Sequence, residues 1–206
     1  MVYCGHTEVT AMKRLTGILL WILLLCCAAR AEGLGAPEAV RSALDRSPFG
    51  GKVWTEEAGG RVQSLALDAD TVITLCADGG SLVAVSVTAP QGREDLAELA
   101  AAALGALVPE DAVRQALGTG APQSIGENVL TVVVGATRTG VYLCPGAALD
   151  ALYWLPMHGG EDRHRSPLCS GMDVPRLVTA AAADALGFPP CSKCAGGAAG
   201  ALDDAA

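Results

Sequence analysis

Two close pairs of soft metal ligands near the end of the chain limit its fold more than any other feature of the sequence. His164 and Cys169 form the first pair, five residues apart, and Cys191 and Cys194 form the second as a C-x-x-C. Zn²⁺ prefers four nitrogen or sulfur ligands in a tetrahedron, which a chain supplies readily as two close pairs. The spacing therefore predicts a Cys3His zinc centre that brings the two loops together.

The segment between the two pairs carries the signals of one short helix. Thr179 is a favourable N-cap, residues 180–186 are strong helix formers, and Gly187 suits the position after a helix end. Residues 153–194 contain few large apolar side chains, so a bound metal would supply folding free energy on the order of 10 kcal/mol. We therefore expect a small zinc-ribbon-like module over residues 153–194, built on this helix around a structural zinc ion.

Basic residues flank both ligand pairs. Arg163 and Arg165 lie on either side of the histidine, and Lys193 lies inside the C-x-x-C. Three thiolates and Zn²⁺ carry a net charge of −1, which these cations would offset. Lys193 would also lower the pKa of the neighbouring thiols by proximity.

Other interpretations of the same residues stay open. Cys191 and Cys194 could form a redox C-x-x-C, although a thioredoxin-like motif begins a helix whereas this one follows a helix. Cys169 could instead form a disulfide with either of them in an oxidising compartment. His158 is a rival to His164, which we favour for its spacing to Cys169.

The motifs of this region resemble a known type of metal module. H-x-x-x-x-C-S-G-M, an Ala-Leu-Gly helix and P-C-x-x-C are similar to a small zinc module at the C-terminal ends of exported or nuclease-linked bacterial proteins. A-x-A-L-G-F-P-P-C-S-K-C resembles the end of the metal-binding domain of Ada-type DNA repair proteins. The resemblance covers about residues 153–194 and implies zinc ligation. The Ada-type domain uses four cysteines, one of which accepts a methyl group from DNA phosphate. Because His164 holds the first ligand position here, methyl transfer is not implied.

The start of the chain has the order of a secretory signal peptide. Lys13 and Arg14 precede an apolar run over residues 15–29, and Ala29-Arg30-Ala31 offers the small residues that a signal peptidase needs. The run spans 15 residues, whereas a membrane-spanning helix needs about 20. We therefore expect cleavage after residue 31 and an extracytoplasmic or secreted protein, with Met12 as a second candidate start. An uncleaved membrane anchor is the alternative.

Net charge and cysteine content limit the classes of function that the protein can have. The net charge is −8 and becomes −10 once Lys13, Arg14, Arg30 and Glu8 leave with the first 31 residues. Such a charge argues against a protein that neutralises nucleic-acid phosphates. Five of the 8 cysteines remain in the mature chain, and an odd number in an exported protein calls for a metal, a free thiol or an intermolecular bond. Lipidation at Cys26 is disfavoured, because Leu24-Leu25 precedes it where a small residue is expected.

Residues 32–152 are predicted to form an α+β body. Helical spacing of apolar residues alternates with β-branched runs, and Asp78-Gly79-Gly80 between two such runs indicates a hairpin. This order predicts an antiparallel sheet with helices on one face. The Gly- and Ala-rich residues 195–206 are predicted to be a disordered tail. The predicted helices cover residues 38–45, 93–107 and 109–117, and the predicted strands cover residues 61–67, 71–77, 81–88, 128–134, 141–144 and 149–155.

The body contains no recognisable catalytic constellation. No histidine lies between the predicted cleavage site and residue 157, and no serine lies in a G-x-S-x-G motif. Cys76 and Cys144 each end a predicted strand and are expected to be buried thiols or one disulfide.

We therefore expect an exported, non-enzymatic binding protein with a structural zinc module and an unknown protein or envelope partner. An extracytoplasmic thiol-redox protein is the first alternative. A nucleic-acid-associated module, by analogy with Ada-type domains, is the second, with nucleic acid an unlikely partner on charge. Membrane contact is expected only through the signal peptide, unless that segment is uncleaved.

Overall fold

A seven-stranded antiparallel sheet runs through the part of the chain described by the computed structural model, residues 33–194. The strand order across the sheet is β1-β2-β3-β4-β7-β6-β5, so the longest strand, β4, lies at the centre. The strands are β1 (Trp54–Glu57), β2 (Val62–Ala66), β3 (Val72–Asp78), β4 (Ser81–Pro90), β5 (Gln123–Ile125), β6 (Asn128–Val134) and β7 (Arg138–Pro145).

Three helices cover one face of this sheet. They are α1 (Pro37–Asp45), α2 (Leu96–Leu104) and α3 (Glu110–Thr119). We call them the helix layer. Their buried side chains, such as Leu44, Leu99 and Val113, join aliphatic side chains of the sheet in one hydrophobic core. Burial of apolar surface is therefore what holds the helix layer to the sheet.

The C-terminal segment, residues 152–194, covers the opposite face. It contains a two-stranded antiparallel sheet, β8 (Leu152–Leu155) with β9 (Arg176–Thr179), followed by α4 (Ala180–Ala185). Buried residues of this segment share a second core with Cys76, Tyr142 and Cys144 of the large sheet. The large sheet thus lies between two layers, and its central strands are buried on both faces.

Neighbouring cross-strand rows show how differently the two faces are built. One row on the helix-layer face is Leu75, Val85, Leu143 and Leu130, which are paired in register from β3 to β6. The next row points to the C-terminal segment, because successive residues of a strand face opposite ways. It runs from β2 to β6 and consists of Ser64, Thr74, Ser86, Tyr142 and Thr131, which we call the hydroxyl row.

The predicted α+β class, with an antiparallel sheet and helices on one face, is confirmed. Three short strands, β1, β5 and β9, were not predicted, since four or fewer residues show no clear periodicity. The helix predicted at residues 93–107 is confined to Leu96–Leu104. The side chain of Arg93 instead bonds Asp95, directly before the helix, and Asp68, in the connection between β2 and β3.

Two sequence predictions lie outside the described residues: the signal peptide over residues 1–31 and the tail over residues 195–206. The domain boundaries also stay predictions. Within residues 33–194, no helix is both long and apolar enough to cross a lipid bilayer.

Candidate metal centre

The structure brings His164, Cys169, Cys191 and Cys194 into one cluster that could hold a metal ion. Their ligand atoms all lie within 4.8 Å of one another. Cys169 Sγ is 4.0 Å from Cys191 Sγ, and Cys194 Sγ is 3.7 Å from His164 Nδ1. A tetrahedral zinc site has ligand–ligand edges of about 3.8 Å between sulfurs and about 3.6 Å between sulfur and nitrogen. Both separations are close to those of a coordinated set, and 4.0 Å is far too long for a disulfide.

Backbone pairing to β8 fixes the position of His164. The N–H of Trp154 donates to the carbonyl of His164, and the N–H of His164 donates back, both at 2.9 Å. His164 as a whole is 4% exposed. Trp154 itself is buried, and its ring meets that of Tyr142 edge-on at 4.7 Å between centroids. His164 is therefore tied through one aromatic pair to the centre of the large sheet.

The same stretch of backbone also positions Cys191. The N–H of Arg163 donates to the carbonyl of Pro189 at 2.8 Å, and the N–H of Cys191 donates to the carbonyl of Arg163 at 2.9 Å. Residues 163–164 thus lie between β8 and the strand-like stretch that carries the C-x-x-C. Cys191 is 3% exposed. One ligand from each sequence pair is in this way held by adjacent extended segments.

Helix α4 sets the distance between the two ligand pairs. Thr179 caps it as predicted, since its hydroxyl accepts the N–H of Ala182 at 3.2 Å. Gly187, with φ of +83°, lets the chain reverse, and the N–H of Phe188 bonds the carbonyl of Ala183 at 3.0 Å. A residue with a Cβ would be strained at that φ. The reversal returns the chain towards His164.

The flanking arginines act differently from the sequence-based expectation. The guanidinium of Arg165 donates to the carbonyl of Leu152 and stacks on the ring of Tyr153, 3.8 Å from its centroid. That of Arg163 pairs with Asp184. The contact that does reach the cluster is made by backbone, because the N–H of Arg165 donates to Cys194 Sγ at 3.3 Å. The arginines therefore support the cluster mainly as scaffold.

Two thiols of the cluster, Cys191 and Cys194, and the imidazole of His164 have shifted pKa values. Backbone N–H groups, first that of Lys193, lower the pKa of Cys191, whereas burial raises the pKa of Cys194. Burial also lowers the pKa of His164. A neutral imidazole and a thiolate are the forms that bind zinc. The sequence predicts that the charge of Lys193 lowers the pKa of the neighbouring thiols, but at Cys191 the backbone N–H of Lys193 is the main cause.

Cys76 and Cys144 lie outside the cluster, as free thiols buried between the large sheet and the C-terminal segment. Strand β4 separates their strands, which places them about 10 Å apart, beyond disulfide reach. Burial raises the pKa of Cys144 to about 12. Cys76 Sγ accepts the N–H of Thr179 at 3.4 Å. Of the two options left open by the sequence, the buried thiol is the one observed.

The backbone pairing of Trp154 with His164 is not predicted by the sequence. An isolated bridge of this kind leaves no periodic signal in the sequence. The choice of His164 over its rival His158 agrees with the cluster, which contains the former.

Comparison with known proteins provides no relative to guide the interpretation. No protein-family model, no curated protein and no solved structure matches the chain. The chemistry open to the cluster is therefore set by its own donor atoms and their surroundings.

Proposed function

We propose that this chain is an exported, non-enzymatic binding protein whose C-terminal segment is held in shape by one structural Zn²⁺. His164, Cys169, Cys191 and Cys194 would bind the ion. The observation that supports this most directly is the convergence of these four ligand atoms to within 4.8 Å. They come from three separate stretches of the segment, so a metal bound there would fasten those stretches to one another.

A structural role follows from the ligand count. Catalytic zinc keeps one position open for water or substrate, whereas four protein ligands close the tetrahedron. His164 and Cys191 are also almost wholly buried. Three sulfurs and one imidazole suit tetrahedral zinc better than Mg²⁺ or Ca²⁺, which prefer oxygen. The chemistry that the ion would supply is cross-linking of the fold.

The likeness to the Ada-type module belongs to the same proposal. The short helix followed by Pro and C-x-x-C is present as α4 and residues 189–194, which supports a shared way of building a zinc site. We do not extend the proposal to methyl transfer, because His164 replaces a cysteine of the Ada-type set.

Export and a protein or envelope partner are proposed from the sequence alone. The apolar run over residues 15–29 and the small residues Ala29 and Ala31 support cleavage. The mass of the protein recovered from the culture medium or the cell envelope tests this, with residue 32 as the expected first residue. An intact chain in the membrane fraction would contradict it.

Metal content and thiol state test the zinc centre. The full chain, purified without added metal, is expected to hold one zinc ion per chain. His164→Ala should lose it, whereas His164→Cys should keep it, because a Cys4 set also binds zinc. Cys144→Ala is the matched control: it removes a buried thiol outside the cluster and should leave zinc content unchanged.

The same preparation separates the two alternatives. A chain without metal, with a reversible Cys191–Cys194 disulfide and turnover of a dithiol, would replace the structural-zinc proposal with a redox function. Salt-dependent DNA binding would favour the nucleic-acid alternative, which the net charge of −8 opposes.

A further inference from the structure

One pair of thiols in the metal-ligand cluster is placed to form a disulfide between the two ligand loops. Cys169 Sγ and Cys191 Sγ are 4.0 Å apart, so a movement of about 2 Å would bring them to bonding distance. The two residues belong to different ligand pairs and lie 22 positions apart in the chain. A bond between them would therefore cross-link stretches of chain that the metal ion would otherwise fasten.

Local structure allows Cys169, rather than Cys191, to make this movement. Cys169 begins a short helical turn, Cys169–Gly171, outside the paired strands, and it is half-buried. Cys191 is 3% exposed, and its N–H is hydrogen-bonded to the carbonyl of Arg163. A single short turn deforms more readily than backbone paired in extended form. The turn can thus approach Cys191 while the stretch that carries the C-x-x-C stays in place.

The third thiol of the cluster is engaged by other groups. Cys194 Sγ accepts the N–H of Arg165 at 3.3 Å and lies 3.7 Å from His164 Nδ1. A Cys191–Cys194 bond would compete with both contacts. It would also close only the C-x-x-C on itself and leave the stretch around Cys169 unattached. Position and contacts therefore both favour Cys169 as the partner of Cys191.

We propose that a peroxide converts the zinc site into a Cys169–Cys191 disulfide, which holds the C-terminal segment on the large sheet without metal. The inference rests on the proposed zinc centre and adds a redox-controlled cross-link to it. Export, as proposed above, would carry the cluster into an oxidising compartment, where thiols that are not protected by metal are oxidised. The disulfide would preserve the fold under those conditions.

The reaction uses two thiolates and one molecule of hydrogen peroxide. Cys169 Sγ, the more exposed of the two sulfurs, attacks a peroxide oxygen; the O–O bond breaks, and the departing hydroxide takes up a proton to become water. Cys191 Sγ then attacks the sulfur of the resulting sulfenic acid. The S–S bond forms, the S–O bond breaks, and the second hydroxide also becomes water. The sulfurs lose two electrons, which the peroxide gains, and the cluster loses two of its four metal ligands.

The test is treatment of the zinc-loaded full chain with hydrogen peroxide, followed by alkylation of the remaining thiols, trypsin digestion without reductant and mass spectrometry. Trypsin cleaves between the three cysteines of the cluster, which fall in separate peptides: residues 166–176, 177–193 and 194–206. The expected product links residues 166–176 to residues 177–193. The bound zinc should be released and two thiols lost, and a reductant with added zinc should reverse both changes.

Hydrogen–deuterium exchange tests whether the disulfide replaces the metal as a cross-link. Strands β8 and β9 should stay protected in the oxidised chain, whereas a chelator acting on the reduced chain should abolish their protection. Cys144→Ala, which removes a thiol outside the cluster, should give the same linked peptides as the wild type. Cys169→Ser should give no link to residues 166–176 and should lose protection of β9 on oxidation.

Three results would overturn the proposal. They are zinc retention in excess peroxide, a product that links residues 177–193 to residues 194–206, and loss of protection at β9 in the oxidised wild type. Failure of the zinc centre itself would be seen before oxidant is added, as a chain purified without zinc. Failure of this inference would be seen afterwards, in a chain that held zinc, so the two are distinguishable.

Discussion

The two faces of the large sheet are covered by different physical means. The helix layer rests on aliphatic rows such as Leu75, Val85 and Leu143, so buried apolar contact area is its main source of stabilisation. The C-terminal segment rests on the hydroxyl row, of which Ser86 and Tyr142 form hydrogen bonds with its backbone, and on Cys76, which does the same. Apolar packing therefore leaves the helix layer free to shift slightly on the sheet. Hydrogen bonds instead fix individual residues of the C-terminal segment in position.

Three contacts define the second face. Ser86 Oγ accepts the N–H of Leu177 at 3.1 Å, Cys76 Sγ accepts that of Thr179, and the Tyr142 hydroxyl donates to Pro175 at 2.6 Å. All reach the backbone of β9 or the residue before it. Hydrogen bonds of this kind contribute only about 1 kcal/mol each. The C-terminal segment is therefore the part of the fold with most to gain from a bound metal.

Loss of the metal is expected to have the largest effect, and to affect the C-terminal segment far more than the helix layer. Cys191→Ser should abolish zinc binding, worth about 10–16 kcal/mol in small zinc modules, and release the C-terminal segment. Hydrogen–deuterium exchange is expected to show loss of protection at residues 152–191 and retention in α2 and β4.

Cys144→Ala provides the control for loss of a buried thiol in the second core, and it should leave protection of β8 and β9 in place. Equal loss of protection on both faces of the sheet in Cys191→Ser would contradict the comparison, since it would make the two layers one cooperative unit.

A cavity in the helix layer should lower the stability of the fold but leave zinc binding intact, the opposite of the result expected for Cys191→Ser. Leu99 is fully buried in α2, and Leu99→Ala should lower the free energy of unfolding by about 2–5 kcal/mol. Zinc stoichiometry should stay at one per chain, because the helix layer does not touch the cluster. Leu168→Ala, at a side chain that is 46% exposed, should change stability by less than about 0.5 kcal/mol. Zinc loss in Leu99→Ala would show coupling of the two faces through the sheet.

The hydroxyl row can be tested at Tyr142, its largest buried member. Burial raises the pKa of Tyr142 well above its usual value, so the phenol is a neutral donor to Pro175. Tyr142→Phe keeps the edge-on contact with Trp154 and leaves the Pro175 carbonyl without its donor, which should cost about 1–3 kcal/mol by denaturant titration. Tyr153→Phe removes a hydroxyl that bonds Arg165 at the segment's outer side and should cost less. Equal losses of stability in Tyr142→Phe and Tyr153→Phe would show that the hydroxyl row contributes no more than a hydroxyl on the outer side of the segment.

The elements on the helix-layer side of the sheet are easier to predict from the sequence than the docking of the C-terminal segment. Leucine spacing predicted α2, and β-branched runs predicted β3, β4 and β6, because both patterns are local. The ligand pairs were also local, and their convergence is present in the structure. The docking of β9 was missed, since it depends on bonds to Ser86 and Cys76, more than 90 residues earlier in the chain.

The burial of Gln63 illustrates the same limit. Gln63 alternates with apolar residues in β2 and looks like an ordinary solvent-facing position in the sequence. Its burial arises from the pairing of β2 with β3 and from the placement of α1, neither of which is encoded within a few residues of it.

Acid should loosen the second face slightly through Asp173. This carboxylate accepts the N–H and hydroxyl of Thr137, and the hydroxyl contact is the main cause of its lowered pKa. An unfolded Asp titrates near pH 4, so its stabilisation is complete above about pH 5 and is lost as the pH falls below 4 through the lowered folded value. The group is largely solvated, which limits the effect to less than about 1 kcal/mol. Unfolding titrations of the wild type and Asp173→Asn should therefore differ at pH 6 and converge near pH 3. A constant difference across that range would assign the role of Asp173 to hydrogen bonding without charge.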